Sequence, residues 1–542
     1  MASSVNVDTT WLQHQLQGQS ALADLLLEFD RSTIALTLAA LVLVPVIASH
    51  LFGTKTDGKV PIINAPGPFE LTIQKKFEYV TKGVEYLREG RRRHPGKPFK
   101  LLTNIGPVTI FPPDRAEEIK NQKSLDFRRA ISHLVPFAPA ANGTTNLIDR
   151  QDELLQRVIM KHLTKRLNTV TEPLALEVTF ALEKSLGDNP GWTETKLSPV
   201  VTDIVARLSS RVFLGGETCR NEEWLDVTKN FTLIFNAAMQ NMRLYPRWAR
   251  PLVYYLDPVC KKAHAIYRRA EAIVEPQVAA RRKEKAECVA KGLPVPKYND
   301  AIEWADLEHE GSKEAMKPTD FQLMFGFVAI HTTSDLLMQT MLHLAANPDA
   351  VEALRREALE VLPIDGWRKT ALVNLKLLDS AIKEAQRLKP ILSANMIREA
   401  TADIALEDGT KLYKGEYMAV DTIPLRDSKV YANPDKFDVY RFYERRKLPG
   451  GEHKAQLVSP NPEHLTFGYG KYMCPGRFFA ANEIKVALCH LLLKYDWKLA
   501  GTTTLEPIYF GTDPFVNPEN KLLYRRRKEE IDLDSLAVDN VE

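Results

Sequence analysis

The most uniform hydrophobic stretch lies near the start of the chain, where Ser32 to Thr54 contains no Asp, Glu, Lys or Arg. At about 1.5 Å per residue, these roughly 23 residues reach about 34 Å as a helix, enough to cross a bilayer core of ~30 Å. The run starts far from the terminus and is preceded by Asp24, Glu28 and Asp30, which predicts a retained anchor rather than a cleaved leader. Pro45 interrupts one hydrogen bond, a defect that membrane helices tolerate. Lys55 and Lys59 follow the run. The positive-inside rule then places the body in the cytosol and residues 1–31 in the lumen. Pro61, Pro66 and Pro68 with Gly67 make residues 55–68 a stiff hinge.

Beyond the hinge, Phe69 to Arg93 has helical spacing and Lys100 to Phe111 alternates as a strand pair ended by Pro112-Pro113. Helical patterns dominate from Ala116 to Leu214. Residues 230–258 carry a large apolar surface, and the polar run 283–317 reads as a long surface connection. Phe321 to Leu344 is apolar nearly all round, as in a helix buried in a large core. Amphipathic helices follow at 349–362 and 376–388, then strands between Met396 and Val420 around Glu407-Asp408-Gly409. The fold class expected is mainly α with small β-sheets: one body over residues 69–528, and a solvated acidic tail over 529–542.

Composition changes this picture little. In 542 residues, 72 basic and 69 acidic side chains leave a net charge of +3, with no global reason to expect a nucleic-acid partner. The five cysteines, at 219, 260, 288, 474 and 489, have no paired spacing for zinc and read as a reduced, cytosol-facing set.

Cys474 stands apart from the other four. In Phe467-Gly-Tyr-Gly-Lys-Tyr-Met-Cys-Pro-Gly-Arg-Phe-Phe-Ala480, a glycine-rich turn gives way at Pro475, which suits a first helical turn, to an apolar helical run. A sulfur there lies near unpaired N–H groups and the positive end of a helix dipole, which favours thiolate. The glycines at 468, 470 and 476 leave room for a large flat group against the backbone. A buried free thiol is the plainer reading of a lone cysteine, and it is the surrounding residues that argue against it.

Phe467, Gly470, Cys474 and Gly476 resemble the haem loop of the cytochrome P450 family, in which the cysteine thiolate is the axial ligand of haem iron. Three further motifs occur in the family's order. Ala329 to Ser334 resembles the oxygen-binding kink of the distal helix, and this similarity gives Thr333 the role of ordering water and relaying protons, with Thr332 beside it. Glu384-x-x-Arg387 and Arg441 resemble the ionic triad that braces the haem loop. Arg398 lies where the family places a propionate-binding arginine, for which bidentate pairing suits a carboxylate.

Four positions depart from the family pattern. Ile330 replaces a glycine, Thr332 replaces a carboxylate, and Glu153 stands where a tryptophan precedes Arg157 by four. Tyr472, two residues before Cys474, replaces an arginine or histidine that pairs with a propionate. It is expected to offer that group a neutral hydrogen bond only. The haem-loop and Thr333 segments look most like filamentous-fungal enzymes of the ent-kaurene oxidase-like group.

The resemblance implies the P450 fold behind one N-terminal transmembrane helix, haem b as cofactor, and monooxygenation of a large apolar substrate, foremost a terpenoid. An oxidase catalysing desaturation, ring formation or aromatic coupling on a polyketide or alkaloid, or a membrane-anchored haem-binding carrier or sensor without catalysis, would share these motifs. No nucleotide-binding glycine fingerprint follows a strand, so electrons must come from outside. The resemblance implies NADPH-cytochrome P450 reductase, with cytochrome b5 as a second donor, at the endoplasmic reticulum membrane.

Overall fold

Prolines and caps set several helix starts in the computed structural model, which describes residues 59–134, 144, 146–150, 152–243, 245, 250–310, 312, 314 and 316–536. The anchor at 32–54 and the first hinge residues lie outside this set. Among the described residues no helix is long and apolar enough to cross a membrane. The principal helices are α1 (Thr72–Arg93), α2 (Leu167–Ser185), α3 (Leu197–Phe213), α4 (Glu222–Arg243), α5 (Pro258–Ala290), α6 (Pro318–Ala345), α7 (Pro348–Asp365), α8 (Lys376–Leu388) and α9 (Arg477–Lys494). Pro258, Pro318 and Pro348 each sit in a first turn, where a missing N–H costs nothing. The Asp257 carboxylate caps α5 by accepting from the N–H groups of Val259 at 2.8 Å and Cys260 at 2.9 Å.

The apolar run expected at 321–344 is the central part of α6, which packs against α3, α4, α8 and α9. Leu174, Val205, Leu337, Ile382 and Leu488 meet in one core at 0 % exposure. Each such side chain contributes about 1.5–3 kcal/mol by leaving water, so α6 is fixed from several sides.

Among the described residues, twelve strands form four small sheets. They are β1 (Phe99–Thr103), β2 (Gly106–Phe111), β3 (Leu125–Asp126), β4 (Thr193–Lys196), β5 (Ala394–Ala400), β6 (Ile404–Ala405), β7 (Lys411–Leu412), β8 (Tyr417–Asp421), β9 (Tyr495–Leu499), β10 (Ile508–Phe510), β11 (Asp513–Phe515) and β12 (Lys521–Arg526). The largest has the order β1-β2-β8-β5-β3 and the next β4-β12-β9, while β6 pairs with β7 and β10 with β11. β2 and β8 run parallel, with Val108 opposite Tyr417. The register of β5 on β8 slips between Asn395 and Arg398, where Met396 takes a φ of 56°. An irregularity of this kind re-aims the side chains that follow it, and Arg398 is one of them.

Three expectations need correction. Residues 283–317 are not one surface connection: α5 continues to Ala290, and a buried helix Ala301–His309 follows, capped by Asp300 and anchored by Trp304 at 0 % exposure. Pro475 is not in the first turn of α9, which starts at Arg477 with Gly476 as its cap. The chain after Arg526 is not wholly solvated either, since Leu533 is buried and its carbonyl accepts from the Trp367 indole at 2.7 Å.

Candidate active site around Cys474

The loop before α9 closes on itself. The Cys474 N–H donates to the Phe467 carbonyl at 2.8 Å, that of Met473 to Gly470 at 3.1 Å and that of Gly468 to Leu465 at 2.8 Å. Phe467, half-buried, packs against the main core. Gly470 has φ +73°, and a Cβ there would stand 2.5 Å from the Lys120 carbonyl oxygen, so glycine is required twice over. A Cβ on Gly476 would meet no protein atom within 4 Å. Burial pushes the Cys474 thiol up, while the Gly476 N–H, the Arg477 guanidinium and the Arg477 N–H pull it back. The sulfur therefore lies at the N-terminus of α9, where a thiolate is best supported.

Neighbouring elements hold the loop from three sides. Arg477 donates from Nη1 to the Cys474 carbonyl at 2.9 Å and from Nε to the Val458 carbonyl at 3.0 Å. From β5, the Asn395 amide donates to the carbonyls of Leu465 at 2.8 Å and Thr466 at 3.1 Å. From α8, the Gln386 side-chain oxygen accepts from Thr466 Oγ1 at 2.7 Å.

The expected triad is assembled on α8. Glu384 and Arg387 are fully buried, and Glu384 accepts from Arg387 Nε at 2.8 Å, Arg387 Nη2 at 2.9 Å, Arg441 Nε at 3.0 Å and the Asp438 N–H at 3.2 Å. The two arginines spend their other donors on carbonyls: Arg387 on Leu425 and Pro434, Arg441 on Ala432 and Asn433. A buried carboxylate paired with two arginines and hydrogen-bonded through both oxygens is the form in which buried charge is tolerated.

Two more α8 residues grip the segment before the loop. Lys383 donates to the carbonyls of Lys454 at 3.0 Å and Gln456 at 2.7 Å. Asp379 pairs with Arg446 and with Lys485 and accepts from the Leu457 N–H at 2.8 Å. In the sequence both look like ordinary polar positions of an amphipathic helix, and only the packed segment reveals their partners.

On α6 the adjacent threonines differ. Thr332 is exposed, and its hydroxyl donates to the Val328 carbonyl at 2.9 Å, one turn back. Thr333 is buried at 4 % exposure and its hydroxyl makes no hydrogen bond among the described residues. His331 is tied by Nε2 to the Lys229 carbonyl at 3.0 Å, linking α6 to α4, and burial pushes its imidazole below the usual range. Asp335 pairs with Lys389 at 2.5 Å and accepts from the Val516 N–H at 3.1 Å. Its Oδ1 thus braces α6 against the chain just after β11, and its Oδ2 against Lys389 just after α8.

Arg398 and Tyr472 meet face to face. The guanidinium lies 4.7 Å from the Tyr472 ring centroid and 5.6 Å from that of Phe127. Its Nη1 donates to the Ile397 carbonyl at 2.7 Å, whereas its buried Nε and Nη2 find no acceptor. Burial lowers its pKa to about 10, opposed by Tyr472 and Asp126. The Tyr472 hydroxyl is directed elsewhere, donating to Asp126 Oδ2 at 3.1 Å. Arg157 is engaged with the Glu308 carbonyl at 3.0 Å and is not drawn to this cluster.

The family model of cytochrome P450 matches residues 99–525, which span every element of this site. The chain belongs to the cytochrome P450 family. It is thus an oxidoreductase that incorporates oxygen, and the family implies haem iron, an electron-donating partner and a small-molecule substrate. This P450 is 41 % identical over 88 % of both chains to the cytochrome P450 monooxygenase hepE of Aspergillus oryzae. It is 38 % identical to the monooxygenase TRI1 of Fusarium sporotrichioides, over 86 % of this chain and 85 % of that one. To adrA of Penicillium rubens it is 37 % identical, over 90 % and 96 % respectively. Among solved structures, the retinoic acid-bound cyanobacterial CYP120A1 superposes with a TM-score of 0.63 over 86 % of this chain and 99 % of that one. At 17 % identity this likeness concerns the fold alone.

The residues of this P450 fit haem. Arg398 holds two buried N–H groups without an acceptor, a donor set that suits a propionate. Gly476 leaves the backbone beside Cys474 open to a flat ring. Cys474, at the N-terminus of α9, is the residue that would offer haem a thiolate.

Proposed function

We propose that this P450 monooxygenates a large apolar metabolite, a terpenoid first, in fungal secondary metabolism. Electrons come from NADPH through NADPH-cytochrome P450 reductase, with cytochrome b5 as a second donor. Haem held through Cys474 supplies oxygen activation and C–H oxidation when bound. The chain does the rest. The loop hydrogen bonds fix the sulfur, and the Glu384 cluster keeps the loop from shifting. Thr333 holds a hydroxyl clear of the helix carbonyls, where it can order a water and pass on a proton.

The contrast between the two threonines carries this reading. Thr332 uses its hydroxyl on its own helix, as a mid-helix threonine commonly does. Thr333 is buried and does not. The terpenoid preference rests on the similarity of the Cys474 and Thr333 segments to ent-kaurene oxidase-like enzymes.

The proposal includes a single-pass anchor at 32–54 in the endoplasmic reticulum membrane, with the body in the cytosol. Exposed Phe69 and Phe77 before and within α1, and Leu252, Tyr255 and Leu256 on the helix Arg250–Leu256, support a body that rests on lipid. Beside the cysteine loop, a cavity of about 440 Å³ lined by Lys120, His453, Tyr469, Arg477 and Phe478 supports docking of an acidic electron donor.

Turnover of the reductase-coupled enzyme with NADPH and ¹⁸O₂ against a panel of diterpenes tests the proposal. A product carrying one labelled oxygen per oxidation step is expected. An oxidised product without label would establish the desaturating or coupling oxidase, and a haem-loaded protein that gives no NADPH-dependent product would establish the carrier. Resistance of the protein to carbonate extraction tests the anchor.

A further inference from the structure

Tyr472 stands two residues before the cysteine, yet its hydroxyl donates to Asp126 and its ring meets the Arg398 guanidinium, with the Lys471 ammonium 4.9 Å from the same ring. Asp126 closes β3 opposite Glu399 of β5, one residue from Arg398. It also accepts from the Arg129 N–H at 3.0 Å. The carboxylate is therefore fixed to the same sheet as the arginine, and the Tyr472 ring is pinned at its far end. Phe127 tilts against Tyr472 with ring centroids 5.9 Å apart, so the guanidinium faces two aromatic rings.

The nearby arginines are differently placed. Arg128 donates to Glu153 at 3.0 Å and Arg129 to Glu399 at 3.2 Å. Arg398 pairs with no carboxylate among the described residues; its plane is set by the rings and its Nη1 by the Ile397 carbonyl. A guanidinium has a rigid planar fork, so its usefulness to a bidentate anion depends on how its plane is held.

We infer that Tyr472 is a positioning residue: anchored by Asp126, its ring sets the plane of Arg398 so that Nε and Nη2 are presented to a carboxylate of the prosthetic group. The proposal rests on the haem reading above. It gives Tyr472 a role through Arg398 in place of a direct hydrogen bond to a propionate. The hydroxyl contributes by pinning the ring, and the ring contributes by stacking.

The test is a double-mutant cycle on haem retention, measured as the rate of haem transfer from the holoprotein to excess apomyoglobin. Tyr472→Leu is expected to raise that rate about 3- to 30-fold, the range of a partly buried cation–π contact, with Tyr472→Phe at the lower end. In an Arg398→Met background, where haem is already held more weakly, Tyr472→Leu should add less than about twofold, because the residue acts through Arg398. A full effect of Tyr472→Leu in that background would overturn the proposal, as would an unchanged rate in the single variant. Where the leucine variants fail to fold, Tyr472→Phe against Arg398→Lys gives the same comparison, and additive effects there would also overturn it. Wild-type protein that binds no haem would overturn the parent reading instead, so the two failures are distinguishable.

Discussion

Glu384→Ala removes the acceptor shared by two guanidinium groups and the Asp438 N–H, all from a fully buried site. Arg387 and Arg441 keep their backbone carbonyls, so neither is left without partners. What remains is two cations near each other with no balancing carboxylate. Removing one partner of a buried ion pair costs about 3–5 kcal/mol, and opening of residues 432–442 should rise about 10²- to 10³-fold or more. Glu89→Ala is the control: that carboxylate pairs with Arg92 and Arg93 on the exposed face of α1, and such pairs are worth about 0–1 kcal/mol. Glu384→Gln keeps shape but turns an N–H₂ toward one guanidinium, and should recover only part of the loss. Amide hydrogen exchange over residues 432–459, with denaturant-induced loss of the haem spectrum, reads both variants against wild type. If Glu384→Ala exchanged there no faster than Glu89→Ala, the bracing role would be refuted.

Thr333→Ala should leave haem binding intact and divert NADPH electrons to hydrogen peroxide, measured as the ratio of peroxide to product, whereas Thr332→Val should leave that ratio unchanged because its hydroxyl serves its own helix. Gly470→Ala forces a Cβ to within 2.5 Å of the Lys120 carbonyl at φ +73° and should lower the melting temperature of the holoprotein and its haem content together. Acid should destabilise the fold through His343 and His490, each lowered by burial to about 4. Their folded-state values lie below the unfolded value of about 6.5, so this stability is complete above pH ~6.5 and is lost as pH falls toward ~4, by up to about 3 kcal/mol per residue. His490→Asn should flatten urea midpoints plotted over that window, and an unchanged slope would remove His490 from the account.

Much of the site is local in the chain, which is why the sequence shows it. Cys474 and its glycines lie within ten residues, and Glu384 and Arg387 are one helical turn apart. The buried α6 announces itself through an apolar run without a polar face. The contacts that aim and tune the site are long-range. Tyr472 meets Asp126 across 346 positions and Lys389 meets Asp335 across 54, and nothing in either local pattern signals the partner. The polar spacing of 283–317 concealed the short buried helix Ala301–His309, because Trp304 and its neighbours satisfy a tertiary groove rather than a long periodic pattern. The acidic composition after residue 528 likewise masked Leu533, which is buried in the main core with Ile531 and Leu536 packed against it and whose carbonyl accepts from the Trp367 indole.

The central claim is that Cys474 is the axial ligand of a haem-thiolate monooxygenase. The ferrous carbon monoxide difference spectrum of the membrane-bound protein, wild type beside Cys474→Ala, tests it most directly. A strongly red-shifted Soret band in wild type that is absent from the variant is the expected result. The same band in Cys474→Ala, or no red-shifted band in haem-loaded wild type, would contradict the account.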